Sequence, residues 1–279
     1  MVSAVIVMIL ITIAAITIMS SEEEIVVKEN SILKIDLSNT TVVERAPLNP
    51  FGELNLSGEV GKVIELKEVL DNIEKAKKDE NIKAIYINTS IVNAGLSQTE
   101  EIRNKLLEFK KTNKQIIAYS EVYSQLAYYL ASVANNIYLN PVGSVELKGL
   151  SISQMFFKGL LKKLDIDMQI IRHGKFKSAV EPFTLNKMST DNRKQMTLFI
   201  SSIADNIMDS IANQRGLSLS SIQGHADNLS LENAKSCLKL NYVDELLYED
   251  QVIEKLLSVS KSKELSIVSL KKYTNVKSR

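Results

Sequence analysis

The sequence predicts an α/β fold with parallel strands. Two observations carry this. Short apolar runs rich in β-branched residues recur along the chain, and most are followed by a segment with apolar residues three and four apart. Strands regularly separated by helices pair in parallel, because each crossover returns the chain to the same end of the sheet. The composition agrees: of 279 residues, 45% are hydrophobic and 24% charged, with 10 Gly and 4 Pro. That is a globular balance, neither disordered nor collagenous. A net charge of +1 gives the chain no overall attraction for nucleic acid.

Taken in order, the elements begin with an uncharged run from Val2 to Met19. As a helix rising 1.5 Å per residue it would approach the roughly 30 Å of a bilayer core. It lacks the basic start and small-x-small end of a cleaved signal peptide. The acidic run Glu22-Glu23-Glu24 follows too closely for a buried core helix. The reading is a single membrane anchor over residues 2–19, with no flanking basic cluster to orient it. Ile32–Leu37 reads as a strand. Residues 39–61, with Pro47, Pro50, Gly52 and Gly58, read as a loop. Val63, Leu66, Val69, Leu70, Ile73 and Ala76 recur at helical spacing.

Ile82–Ile87 is an apolar strand. Ser97-Gln98-Thr99-Glu100 reads as a capping box opening a helix with Ile102, Leu106, Leu107 and Phe109. Gln115–Tyr119 is the next strand, residues 123–135 a helix, and Ile137–Leu139 a strand stopped by Pro141 and Gly143. A helix is expected over Ser151–Leu164 and a strand over Met168–Arg172. After Ser189 a long helix carries Met196, Phe199, Ile200, Ile203, Ile207 and Ile211 on one face, with Gly216 past its end. Shorter helices fill 230–258.

The chemistry visible in the residues alone is sparse. There is no G-x-S-x-G elbow, phosphate loop, dinucleotide fingerprint or H-E-x-x-H. The lone Cys237 forms neither an internal disulfide nor a Cys-based zinc site, and reads as a core thiol. His173 and His225 share no metal-ligand spacing, so no cofactor or metal is expected. One stretch differs, His173-Gly174-Lys175-Phe176-Lys177-Ser178-Ala179-Val180-Glu181-Pro182-Phe183. It sets lysines among apolar residues. Lysine serves as a base only where desolvation or nearby positive charge lowers its pKa.

The segment F-K-S-A-V-E-P-F resembles the lysine-bearing motif of the signal peptide peptidase A (protease IV) family in its long, two-half form. Further segments resemble the same family. They are Tyr128–Ala134 followed by Ile137-Tyr138-Leu139-Asn140-Pro141, then Leu147–Leu150, Phe156–Leu160, Ala234 and Val243–Leu246. The resemblance covers about residues 22–260. It implies a ClpP/crotonase-like ββα spiral, here preceded by one N-terminal transmembrane helix. It also implies a Ser/Lys serine endopeptidase that degrades apolar signal peptides after their release from secretory precursors. Lys177 is then the general base. The implied setting is a bacterial inner membrane, spanned once, with the peptidase domain on the extracytoplasmic side and membrane lipid as a partner. Assembly as a homo-oligomer, or with a serine-bearing C-terminal half, is implied too. Residues 261–279 would lead toward that second half.

The chain departs from the family at the nucleophile. The family's small-Ser-Gly-Gly-Tyr motif is absent, and alignment on Tyr128-Tyr129 puts Gln125 in the serine's place. Leu126 and Ala127 replace the glycine pair whose backbone would line an oxyanion hole. Ser124 is one position off, and Ser178 adjoins Lys177, where neighbours in extended chain point apart. The expected protein therefore supplies the base and lacks the nucleophile. A catalytically inactive, oligomerising or peptide-binding scaffold is the alternative. A crotonase-like coenzyme A enzyme is a third class, opposed by the lysine motif and the anchor.

Overall fold

The computed structural model describes residues 26–46, 62–171 and 178–276. Strand β1 (Ser31–Ile35) opens the fold, followed by β2 (Thr40–Val43) and β3 (Lys62–Glu65). Next come α1 (Leu66–Lys78), β4 (Ile82–Asn88), α2 (Leu96–Lys110), β5 (Gln115–Ser120), α3 (Gln125–Ala131) and β6 (Asn136–Leu139). After an extended stretch stand the short helices α4 (Lys158–Lys163) and α5 (Glu181–Thr184), then α6 (Thr190–Arg215) and α7 (Leu219–Asp227). The chain closes with α8 (Ala234–Lys239), β7 (Glu245–Leu246), α9 (Glu249–Ser260), β8 (Ile267–Ser269) and α10 (Leu270–Thr274). The main sheet has six strands in the order β7-β6-β5-β4-β1-β8. β1 pairs in parallel with both β4 and β8, and β6 pairs in parallel with β7.

Two compact units divide the chain. The first comprises residues 1–88, 93–117 and 250–279. Its strands β1 and β4 are covered on both faces, so adjacent residues are buried together. Ile32 and Leu33 in β1, and Ala84 and Ile85 in β4, are all 0% exposed. Val69, Ile73, Ile102, Leu106 and Phe109 of α1 and α2 complete this core. β8 and α10, in the segment expected to lead onward, are part of this unit. Asn72 Nδ2 donates to Leu270 O at 3.2 Å and to Thr274 Oγ1 at 2.7 Å, and Tyr273 Oη–H donates to Asp79 at 2.9 Å.

The second unit comprises residues 89–92 and 118–249. α3 is its buried centre: Ala127, Tyr128, Leu130 and Ala131 are 0% exposed. Tyr128 Oη–H donates to Tyr242 O at 2.7 Å, and Asp244 accepts Ile137 N–H at 2.7 Å. Arg215 holds Asp244 from the end of α6, Nη2 to Oδ1 at 2.8 Å. Gly143 is required where it stands, since a Cβ there would meet Glu121 O at 2.1 Å.

Several expectations are corrected. The α/β layout with a parallel sheet stands, but the ββα spiral does not. The connections 89–95 and 121–124 hold no second strand beyond a single bridge at Tyr123. The repeated unit from β4 to β6 is thus one strand and one helix, and the sheet is open, with β7 and β8 at its edges. The anchor over residues 2–19 lies outside the described residues. Among the described residues no helix is long and apolar enough to cross a membrane. The longest, α6, is interrupted by Asp191, Arg193, Lys194, Asp205 and Asp209, whereas a span needs about 20 apolar residues. The transmembrane helix, the lipid partner and the single-pass inner-membrane location are therefore withdrawn.

Locally, residues 62–65 are strand, so the predicted helix at 63–76 starts later, at Leu66. β2 occupies part of the predicted 39–61 loop. The expected helix 151–164 shrinks to α4, and residues 168–171 form no strand. The capping box is shifted. Gly95 precedes the helix, and Gln98 Oε1 accepts Gly95 N–H at 2.8 Å.

Candidate functional site

The C-terminal ends of parallel strands gather loops and helix N-termini, and ligands bind there in open α/β sheets. In the second unit that region holds Ser90, Ser120, Ser124 and Gln125. Ser120 Oγ–H donates to Val122 O at 2.6 Å, so the 2.7 Å contact between Ser90 and Ser120 must be donated by Ser90. Ser124 caps α3: its Oγ accepts Ala127 N–H at 3.4 Å, while its own N–H donates to Ser90 O at 2.9 Å. These hydroxyls tie loops together.

Gln125 stands in the first turn of α3, at the position that alignment gave to a nucleophile. Its Oε1 accepts Lys148 N–H at 3.1 Å and Gly149 N–H at 3.0 Å, and its Nε2 donates to Gly149 O at 3.3 Å. A side-chain carboxamide here meets backbone as another peptide group would. Gly149 adopts φ 79°, a left-handed backbone that favours glycine. This contact was not legible in sequence, because residues 23 and 24 positions apart carry no periodic signal.

The lysine motif is split by what the structure describes. His173, Lys175 and Lys177 lie outside the described residues. Ser178 opens a single 3-10 turn, Ser178–Val180, that runs into α5. Glu181 is 1% exposed. It accepts Ser189 Oγ–H at 2.5 Å, Ser189 N–H at 3.1 Å and Asn192 Nδ2–H at 2.9 Å. Ser189 is the N-cap of α6, its Oγ also accepting Asn192 N–H at 3.2 Å. Pro182 O accepts Phe157 N–H at 2.6 Å, and Phe157 and Phe183 stack at 6.1 Å. An open groove of about 680 Å³ lies beside them, lined by Leu161, Ile166, Met168 and Phe183 with Lys158 and Asp167 among its polar walls.

Cys237, Tyr128 and Tyr242 are titratable groups in the core of this unit. Cys237 is 0% exposed, and burial pushes its thiol pKa up, away from thiolate. Burial likewise raises the Tyr128 and Tyr242 phenols. His225 Nδ1 contacts Tyr242 Oη at 3.2 Å at the edge of this aromatic cluster. Among the described residues no group of three or more His, Cys, Asp or Glu is placed to hold a metal ion.

Comparison with known proteins places this arrangement. The model of peptidase family S49 matches residues 108–264, more than half of the chain. The chloroplastic serine protease SPPA of Arabidopsis thaliana is 28% identical over 217 residues, 77% of this chain and 32% of that protein. Protease 4 of Haemophilus influenzae is 37% identical over 164 residues, 58% of this chain and 27% of that protein. Among solved structures, a mutant of the 1510-N membrane-bound stomatin-specific protease superposes with a TM-score of 0.46 at 10% identity, over 86% of this chain and 97% of that one. The chain thus spans about a third or less of the length of these two curated relatives.

Proposed function

The chain belongs to peptidase family S49, and on that premise we propose that it is the lysine-bearing half of a Ser/Lys serine endopeptidase of signal peptide peptidase type, in the two-half form. Lys177 is the general base of this reading, and the nucleophilic serine comes from a second half. One observation carries the division of labour. Gln125 fills the nucleophile's aligned position and is engaged by three hydrogen bonds to residues 148 and 149.

In this mechanism neutral Lys177 takes the proton from the serine hydroxyl as its oxygen attacks the scissile carbonyl. The resulting ammonium gives that proton to the departing amine, leaving an acyl-enzyme. Water then adds, with Lys177 again accepting a proton, and the acid product leaves as the serine recovers its hydrogen. A lysine neutral at working pH needs a dry surround, which suits apolar peptide substrates.

The assembly is supported by the first half of α6. Leu198 is 63% exposed and Phe199 58% exposed, while Ile207 and Ile211, further along, are core. We assign the bare part of this stripe to the serine-bearing half, without which the dyad is incomplete. A second reading, a non-catalytic peptide-binding scaffold, is favoured by the same Gln125 contact.

Hydrolysis of a fluorogenic apolar peptide separates the two. The chain alone should be inactive, and the chain with its serine-bearing half active. Lys177→Ala should abolish that activity, and Lys177→Arg should not restore it, because guanidinium stays protonated at working pH. Full turnover by Lys177→Ala would remove the dyad. No turnover from the complete protein would favour the scaffold.

A further inference from the structure

We propose that residues 150–156 form a peptide-holding edge that takes an extended, uncharged apolar peptide alongside it by backbone pairing. Such holding needs neither Lys177 nor a serine, so it is a non-catalytic function beyond the proposed dyad. The chain runs from Glu146 to Phe157 without a helix, strand, turn or bend. At about 3.3 Å per residue, the stretch 150–156 spans about 23 Å. Every N–H and C=O along it is an obligatory hydrogen-bonding group. Among the described residues, none bonds to the backbone of 150–156. Leu150, Ser151, Ile152, Ser153 and Met155 are exposed.

Both ends of this bare stretch are fixed. At one end Leu147 is buried, and Gln125 of α3 grips the backbone of Lys148 and Gly149. At the other, Phe157 N–H donates to Pro182 O at 2.6 Å, and the Phe157 ring stacks on Phe183. A strand fixed at both ends has already lost backbone freedom that pairing would otherwise remove, which favours the addition of a second strand. Residue type selects the occupant. Gly149 to Phe157 is nine residues without a charge, in a chain of which 24% is charged. Open edges are commonly guarded by lysine or proline, and this stretch has neither. In an extended chain Leu150 and Ile152 share one side, 42% and 43% exposed, and Met155 lies on the other at 74%. An uncharged peptide with apolar side chains at alternate positions matches both the backbone and this pattern.

Binding is read on the 279-residue chain by fluorescence anisotropy, with a fluorescein-labelled, end-blocked nonapeptide of alternating Leu and Ser. The same peptide methylated on its five central backbone nitrogens keeps the side chains and loses the donors. It should bind at least about tenfold more weakly, the equivalent of two lost hydrogen bonds. Saturating unmodified peptide should slow amide exchange over 150–156 at least about tenfold and leave α9 unchanged. Ser151→Pro with Ser153→Pro removes donors on one edge, and Ile152→Pro with Gln154→Pro those on the other. At least one pair should lose the peptide, with circular dichroism showing that each is folded. The methylated peptide decides the matter should a proline variant unfold. Equal binding of the methylated peptide, binding that leaves 150–156 unprotected, or full binding by both folded proline pairs overturns the proposal. So does protection that appears without peptide and rises with protein concentration, which assigns the edge to a second copy of this chain. None of these readouts is hydrolysis, so the dyad stands or falls separately.

Discussion

Gln125 shows what a single residue can decide in this fold. Its carboxamide makes three hydrogen bonds to residues 148 and 149 from a half-buried position. Serine is too short to reproduce this contact. Gln125→Ala should therefore cost about 1–2 kcal/mol, read from the urea midpoint. Gln125→Ser should cost a similar amount and confer no hydrolysis, since Leu126 and Ala127 still replace the glycine pair. A gain of activity in Gln125→Ser would place a complete dyad inside this chain. Asp244 works similarly, accepting from Ile137 N–H and from Arg215, whose side chain is 10% exposed. Asp244→Ala takes the carboxylate from a guanidinium that keeps only its Nε bond to Asn241 O, and leaves the Ile137 amide without its acceptor, so a loss of about 2–3 kcal/mol is expected on denaturation. Neither contact was visible in sequence, where Gln125 registered only as a departure from a motif and Asp244 as part of a resemblance.

At the scale of elements, α1 and α2 are stapled by charge. Lys105 of α2 holds Glu74 of α1 at 3.0 Å, with Lys77 and Lys78 adding support from the same helix. The hydrogen bond from Lys105 leads these in holding the Glu74 carboxyl at about 2, below its ordinary 4.5. A carboxyl depressed in the folded state stabilises above its ordinary value, and that contribution fades as pH falls from 4.5 toward 2. Glu74 is 30% exposed, so solvent limits the effect to about 1 kcal/mol or less. Glu74→Gln should thus be less stable than wild type at pH 7 and approach it near pH 2, by chemical denaturation across that window.

α10 is held to α1 through Lys75, which donates to Tyr273 O and to Val276 O at 2.9 Å, with the ammonium 4.3 Å from the Tyr273 ring centroid. Lys75→Met should speed amide exchange over residues 267–276 while leaving β4 protected. The long helix shows where periodicity stops informing. Its apolar stripe runs from Met196 to Ile211 at helical spacing, yet only Ile207 and Ile211 of that stripe are buried. Helical spacing states that a face is apolar; it does not state what covers it. Ile211→Ala should cost about 2–5 kcal/mol, whereas Phe199→Ser should stay within about 0.5 kcal/mol in the isolated chain.

The whole molecule adds consequences that no element has alone. Leu198→Ser with Phe199→Ser should leave the melting temperature of the chain nearly unchanged but weaken co-sedimentation with the proposed serine-bearing half. Undiminished association would place that half elsewhere. Much of the sheet was legible: β1, β4, β5 and β6 all lie in apolar runs marked as strands. β7 and β8 were missed because strands of two and three residues are too short to show a period. β2 was missed inside a loop rich in proline and glycine further on. The second strand expected of each spiral turn came from resemblance, and the connections 89–95 and 121–124 are too short and too engaged in turns and caps to supply it.

By itself, then, the sequence determined the α/β class, the buried runs of β1 and β4, the amphipathic face of α6 and kinship with a peptidase family. Each of these is written locally, in spacing and in contiguous motifs. The tertiary structure alone decided that Gln125 closes on Gly149 and that Glu181 clamps the start of α6. It also decided that Arg215 pairs with Asp244 and that α10 docks beside β1. These contacts join residues by reach and burial rather than by period, and the free energy of leaving a buried polar group unpaired is what selects them.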